Sequence, residues 1–148
     1  MKNQIIIQEN NFDKARKEIK ENKNKIIIFS SKNDKLNRKI LEKEKIDILL
    51  LNMAGRKDFQ KQRNSGFNQV LAKIAKKNNV AIGINLDEII DAKTKQKAEI
   101  LAQIKQNIKL CNKNKLKMKF IAQKQRDIYD LKSLGLILGM PTWMTKGL

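Results

Sequence analysis

Histidine is absent from this 148-residue chain. That one absence removes histidine zinc sites, the Ser-His and Cys-His nucleophile pairs and histidine general bases together. A single cysteine, Cys111, excludes an internal disulfide. Its place on an apolar helical stripe makes it a core residue by expectation. Aromatic residues are scarce, at one Trp, one Tyr and five Phe, which argues against an extended base-stacking platform. No uninterrupted apolar stretch reaches the ~18 residues of a membrane span. The opening Ile5-Ile6-Ile7 run is too short for a signal peptide. A cytoplasmic protein is the expectation. Both Gly-x-Gly-x-x-Gly and the P-loop pattern are missing.

Acid is also in short supply. Lys plus Arg number 33 against 15 Asp plus Glu, a formal net charge of +18. A compact domain with that excess repels itself unless it meets a polyanion, and nucleic acid is the commonest one. A lysine-rich composition that merely coats the surface is the competing explanation, since only Arg16, Arg38, Arg56, Arg63 and Arg126 are arginines. Hydrophobic residues make up 41 %, enough for one folded domain over residues 1–148.

The apolar residues alternate between two periods. Short continuous runs read as buried strands: Ile5 to Ile7, Ile26 to Phe29, Ile46 to Leu51, Val80 to Leu86 and Met118 to Ala122. Between them lie helical patterns: residues 11–22 on Phe12, Ala15 and Ile19; 34–45 on Leu36, Ile40 and Leu41; a helix capped by Ser65 with Phe67, Val70, Leu71 and Ile74 inward. A long helix is expected from 87 to about 112, and a last one over 128–138, stopped by Gly139 and Pro141. Five βα repeats predict an α/β fold with a parallel sheet, either doubly wound or an arc of a βα barrel. A closed eight-unit barrel usually takes about 250 residues, so the expectation is a truncated or incomplete TIM-barrel-like sheet.

The densest basic element, residues 55–68, follows a strand and precedes a helix. It therefore lies at the carboxyl edge of the sheet, where α/β folds place ligands. Arg56 and Arg63 offer bidentate phosphate contacts, with Gly66 and the amides of 65–68 as a possible phosphate cradle. A solvated loop with an ordinary cap is the plain alternative. Residues 92–119 carry nine lysines and one acid, Glu99, and Lys105, Lys109 and Lys113 fall on the outer helix face. Carboxylates cluster at Asp87, Glu88 and Asp91 and at Asp127 and Asp130. They could hold magnesium, but two of them stand where helix starts need acids. Asp47, inside an apolar run, is expected to point from the carboxyl edge or to pair with a lysine.

Four segments together carry a family resemblance: Ile46-Asp47-Ile48-Leu49; Gly55-Arg56-Lys57-Asp58; Ser65 to Ala75; and Asn78 to Leu86. With the closing Arg126 to Met140 they resemble ribonuclease P protein component 3, the 30-kDa-class subunit of archaea and eukaryotes. The resemblance implies a barrel-like βα fold related to metal-dependent phosphoesterase barrels. It implies a non-catalytic polypeptide beside ribonuclease P RNA in the particle that removes 5′ leaders from precursor tRNA. Magnesium would sit on the RNA, no cofactor on the protein, and component 2 and the other protein subunits would be neighbours. Carried over by residue, the implied RNA-facing positions are Arg56, Lys57, Arg63, Asn68, Lys73 and Arg126; Lys61, in the same basic loop, is expected to face RNA beside them. The uncharged apolar stretch 136–144 suggests that Met140, Trp143 and Met144 meet a partner or cap this domain's own open side. Gln123-Lys124-Gln125 and Phe59-Gln60-Lys61-Gln62 depart from the family pattern. A small magnesium-dependent phosphoesterase and a general structured-RNA binder are the rival functions.

Overall fold

The computed structural model describes residues 3–148. Strands β1 (Gln4–Gln8), β2 (Ile26–Ser30), β3 (Ile48–Leu51), β4 (Ala81–Asn85) and β5 (Met118–Ile121) form one parallel sheet in the order β1-β2-β3-β4-β5. Right-handed crossovers in an unreversed order put every helix on the same face. The sheet is therefore an arc of a βα barrel, and the doubly wound alternative, which requires a reversal of strand order, is excluded.

Helices α1 (Phe12–Glu21), α2 (Asp34–Lys43), α3 (Gln69–Lys77), α4 (Leu86–Asp91), α5 (Thr94–Lys113), α6 (Ile128–Leu138) and α7 (Thr142–Lys146) complete the chain. Strand alternation explains the continuous apolar runs. Phe29, Leu49, Leu51, Ile82 and Met118 join the main core with Ile19, Ile40, Ile104 and Ile108 of the helices. Ile28, Ile48 and Leu50 form a smaller cluster on the other face with Ala81 and Ile121. Cys111 is fully buried in the main core, and burial pushes its thiol up to about 12. No helix among the described residues is long and apolar enough to cross a membrane.

Four expectations need correction. The helix expected over 87–112 is two helices, because Ala92 and Lys93 take extended backbone and Asn85 caps the first by accepting from the Glu88 amide. Leu86 consequently opens a helix rather than ending a strand. Asn68, not Ser65, caps α3, and Val70 is half exposed. Asp47 lies at the amino edge, where its Oδ2 accepts from the Ile27 amide at 2.8 Å. The periodicity missed α7 altogether, a single turn following Pro141.

Candidate nucleic-acid interface

A row of neutral side chains crosses the carboxyl ends of the central strands. Asn85 Nδ2 donates to Asn52 Oδ1 at 2.9 Å, and Asn52 Nδ2 donates to Ser30 Oγ at 2.7 Å. Glu88 stands beside this row, and its Oε2 accepts from the Met53 and Ala54 amides at 2.8 and 3.0 Å. These bonds start the long β3–α3 loop in a fixed direction. Asp87 likewise accepts from the Gln123 amide, and Asp127 caps α6 through the Tyr129 and Asp130 amides. Three of the five acids considered as magnesium ligands, Asp87, Glu88 and Asp127, thus bind backbone. Among the described residues no group of three or more His, Cys, Asp or Glu is arranged to hold a metal ion.

Arg56 organises the middle of the loop. Its Nη1 and Nη2 donate to the two Asp34 oxygens at 2.9 and 2.8 Å, Nε donates to the Asn52 carbonyl, and Nη1 reaches Asn64 Oδ1. Its side chain is only 11 % exposed. A Cβ on Gly66 would lie 2.5 Å from Arg56 Nη2, and Gly66 also holds φ +70°. Glycine is therefore required there on both counts. The guanidinium of Arg56, expected to read phosphate, is engaged by Asp34, Asn52 and Asn64 in this structure, a planar fork fitted to a carboxylate with little exposed donor left over.

Three further tethers hold the loop to α5. Asp58 accepts from the Asn64 amide at 2.9 Å and from Gln103 Nε2 at 3.2 Å. Those two bonds, with the Arg63 charge nearby, hold its carboxyl below the usual range. Gln106 Nε2 donates to Ser65 Oγ, and Asn107 Nδ2 donates to the Ser65 carbonyl. Sequence reading missed Asp34, Gln103, Gln106 and Asn107. The signal available was Gln103 and Asn107 breaking the inward apolar stripe of α5 at helical spacing.

The other basic positions are left outside this framework. Lys57, Lys61 and Arg63 are exposed on the loop, Lys73 on α3 and Arg126 between β5 and α6. Arg63 touches Asp58 only at 3.5 Å and its side chain is half exposed. It lines two grooves. One, of about 490 Å³, is shared with Lys35 and Arg38 of α2; the other, of about 640 Å³, with Lys105 and Lys109 of α5. Lys73 and Arg126 line neither. Asn68 reaches the first groove but spends its Oδ1 on the Leu71 amide.

Of the two placements expected for the closing stretch, a partner contact or packing within this domain, the structure shows the second for the methionines. Met140 and Met144 are 3 % and 1 % exposed in this chain's own core, so neither offers a surface to a partner. Gly139 at φ +103° turns the chain after α6, which brings both under the helices. Trp143 remains partly exposed, with Nε1 donating to Asn112 Oδ1 at 3.0 Å and Lys115 over its ring.

A family model described as RNase P subunit p30 matches residues 4–146. Ribonuclease P protein component 3 of Methanothermobacter thermautotrophicus is 31 % identical over 115 residues, covering 78 % of this chain and 44 % of the relative. The protein of the same name from Methanococcus maripaludis is 28 % identical over 143 residues, covering 95 % of this chain and 59 % of the relative. The chain therefore spans about half the length of the curated relatives it matches. A chain in a cryo-EM structure of archaeal ribonuclease P with mature tRNA superposes with a TM-score of 0.81 at 27 % identity, covering 98 % of this chain and 63 % of that one.

Proposed function

Because the chain belongs to the RNase P subunit p30 family, we propose that it is a protein subunit of an archaeal-type ribonuclease P. The observation that carries this is the match along residues 4–146, together with a backbone of which 98 % superposes on part of a chain of the archaeal particle. In this reading the polypeptide supports the RNA, and the RNA with its magnesium ions removes the 5′ leader from precursor tRNA. The charge of +18 supplies the attraction, and a clamped loop supplies a surface that need not reorganise on contact.

Chemistry by the isolated polypeptide has little support from its side chains. At the carboxyl ends Asp87 and Glu88 are engaged with backbone amides rather than poised as a general base, and the buried Cys111 thiol stays protonated. The rival phosphoesterase would need a metal cage at the carboxyl ends, where Ser30, Asn52 and Asn85 bond to one another instead. Component 2 and the remaining subunits are the proposed protein neighbours.

Reconstitution tests this. Ribonuclease P RNA, component 2 and the other subunits are assembled with and without the chain, and cleavage of precursor tRNA is followed at low magnesium. The reading requires a higher rate with the chain present, and no cleavage by the chain alone. Cleavage by the RNA-free chain that is lost in Asp87→Asn would favour the phosphoesterase. Tight binding of unrelated structured RNAs with no effect on cleavage would favour a general RNA binder.

A further inference from the structure

We propose that the groove between α2 and the β3–α3 loop holds an unpaired nucleotide of the bound RNA, with its base stacked on Phe59. This rests on the reading of the protein as an RNA-binding subunit and adds the manner of recognition.

Phe59 is the starting point. It stands in an otherwise polar loop and is 59 % exposed, while Phe67, eight positions on, is 6 % exposed in the core. A ring that exposed adds little burial to the fold. It lines the groove together with Lys35, Arg38 and Arg63, so an aromatic face and three cations border one cavity. Those are the two components that single-stranded nucleic acid needs: a flat face for a base and positive charge for its backbone.

Local electrostatics favour the anion. Asp34 is the one acid lining the groove among the described residues, and both of its oxygens are taken by Arg56. Arg38 gives only Nε to Glu42, at 2.9 Å, which leaves its terminal nitrogens for a phosphate. Arg63 is held no more closely than 3.5 Å. Gln62 and Gln106 add amide groups to the wall, of the kind that meet base edges. At about 490 Å³ the cavity is of the size that takes a small ligand, and the loop that forms it is fixed by Arg56, Asp58 and Ser65 before any ligand arrives. An extended double helix fits poorly, because its bases are already stacked and cannot reach Phe59.

The test uses the whole chain and two labelled probes, a short oligouridylate or oligoadenylate and a blunt RNA duplex, followed by anisotropy across a salt series. The parent should prefer the unpaired probe. Phe59→Ala should weaken unpaired binding at least fivefold with the salt slope unchanged, and Phe59→Trp should restore it. Arg38→Ala and Arg63→Ala should weaken binding and flatten the slope by about one unit each. An unchanged melting temperature confirms that the exposed Phe59 variants remain folded. The proposal is overturned if Phe59→Ala binds the unpaired probe like the parent, if it loses duplex binding equally, or if an acidic peptide competes as well as RNA. Capture of ribonuclease P RNA separates the two levels. If that RNA is bound but Phe59→Ala is silent on the oligonucleotide, the groove proposal fails and the subunit reading stands. If the oligonucleotide depends on Phe59 but ribonuclease P RNA is not bound, the subunit reading fails and the groove stands.

Discussion

The two ends of the sheet are built by different forces. At the carboxyl edge, side-chain hydrogen bonds do the work: Ser30 to Asn52 to Asn85, Glu88 to two amides, Arg56 to Asp34, Asp58 to Asn64 and Gln103. Near the α5–β5 turn, at the amino edge, the closing segment is apolar. Met140 and Met144 fill the core there and Trp143 bonds Asn112. Polar tethers leave a loop fixed yet wet, able to present charge. Apolar packing removes its residues from solvent and leaves nothing to present. The difference explains why the carboxyl edge is the candidate interface and why the methionines at the other end are not.

The largest effect should come from the apolar end. Met144→Ala removes a side chain that is 1 % exposed and leaves a cavity, which costs about 2–5 kcal/mol. Urea unfolding should show that loss; a change below ~0.5 kcal/mol, the range of ordinary surface substitutions, would return Met144 to the surface.

Next comes the clamp. Arg56→Ala leaves Asp34 and Asn64 without their partner and should cost about 1–3 kcal/mol. Arg56→Lys should fail to restore it, since lysine cannot make the two-pronged contact with Asp34. Protease nicking between residues 57 and 63 should rise in both variants. Equal resistance in parent and variants would show that the loop does not depend on the clamp. Gly66→Ala should mimic Arg56→Ala, because the added Cβ displaces the guanidinium.

A smaller effect follows from pH. Asp58 is held below its ordinary value of 3.8 in the folded chain, first by the Asn64 amide and then by Gln103. A depressed carboxyl stabilises the fold above the unfolded value, and that contribution is lost as pH falls through the folded one. Parent and Asp58→Asn should therefore differ in stability above pH ~3.8, with the parent higher, and converge as pH falls from there through the folded value. A difference that persists unchanged into acid would contradict the ion's role.

Arg63→Ala should barely move stability, by no more than about 0.5 kcal/mol, because the side chain is half exposed. It should still reduce the salt slope of RNA binding by about one unit. Arg56→Ala, by contrast, should act on stability first. Two arginines of one loop would thus divide into a tether and a contact.

The strands, helices α1, α2, α3 and α6, the single stretch that holds α4 and α5, and the arc were legible because burial on both faces leaves continuous apolar runs, and helices leave a 3.6 period. The break at Ala92 carries no glycine or proline and leaves no such trace. Residue type alone marked Arg56 and Arg63 as equals. What separates them is Asp34, 22 positions from Arg56 in sequence and brought to it only by the packing of α2 beside the loop. Exposure of Phe59 and burial of Phe67 were equally hidden, since both stand in one polar segment. Met140 and Met144 were ambiguous because interface cores and domain cores use the same residue types.

Co-purification addresses the central claim most directly. The tagged chain is recovered from its native cells under mild salt, and the bound RNAs are sequenced. The account predicts enrichment of ribonuclease P RNA well above ribosomal RNA, retained in Met140 and Met144 variants that stay folded and weakened by Arg63→Ala. A folded chain that brings down no ribonuclease P RNA would contradict it.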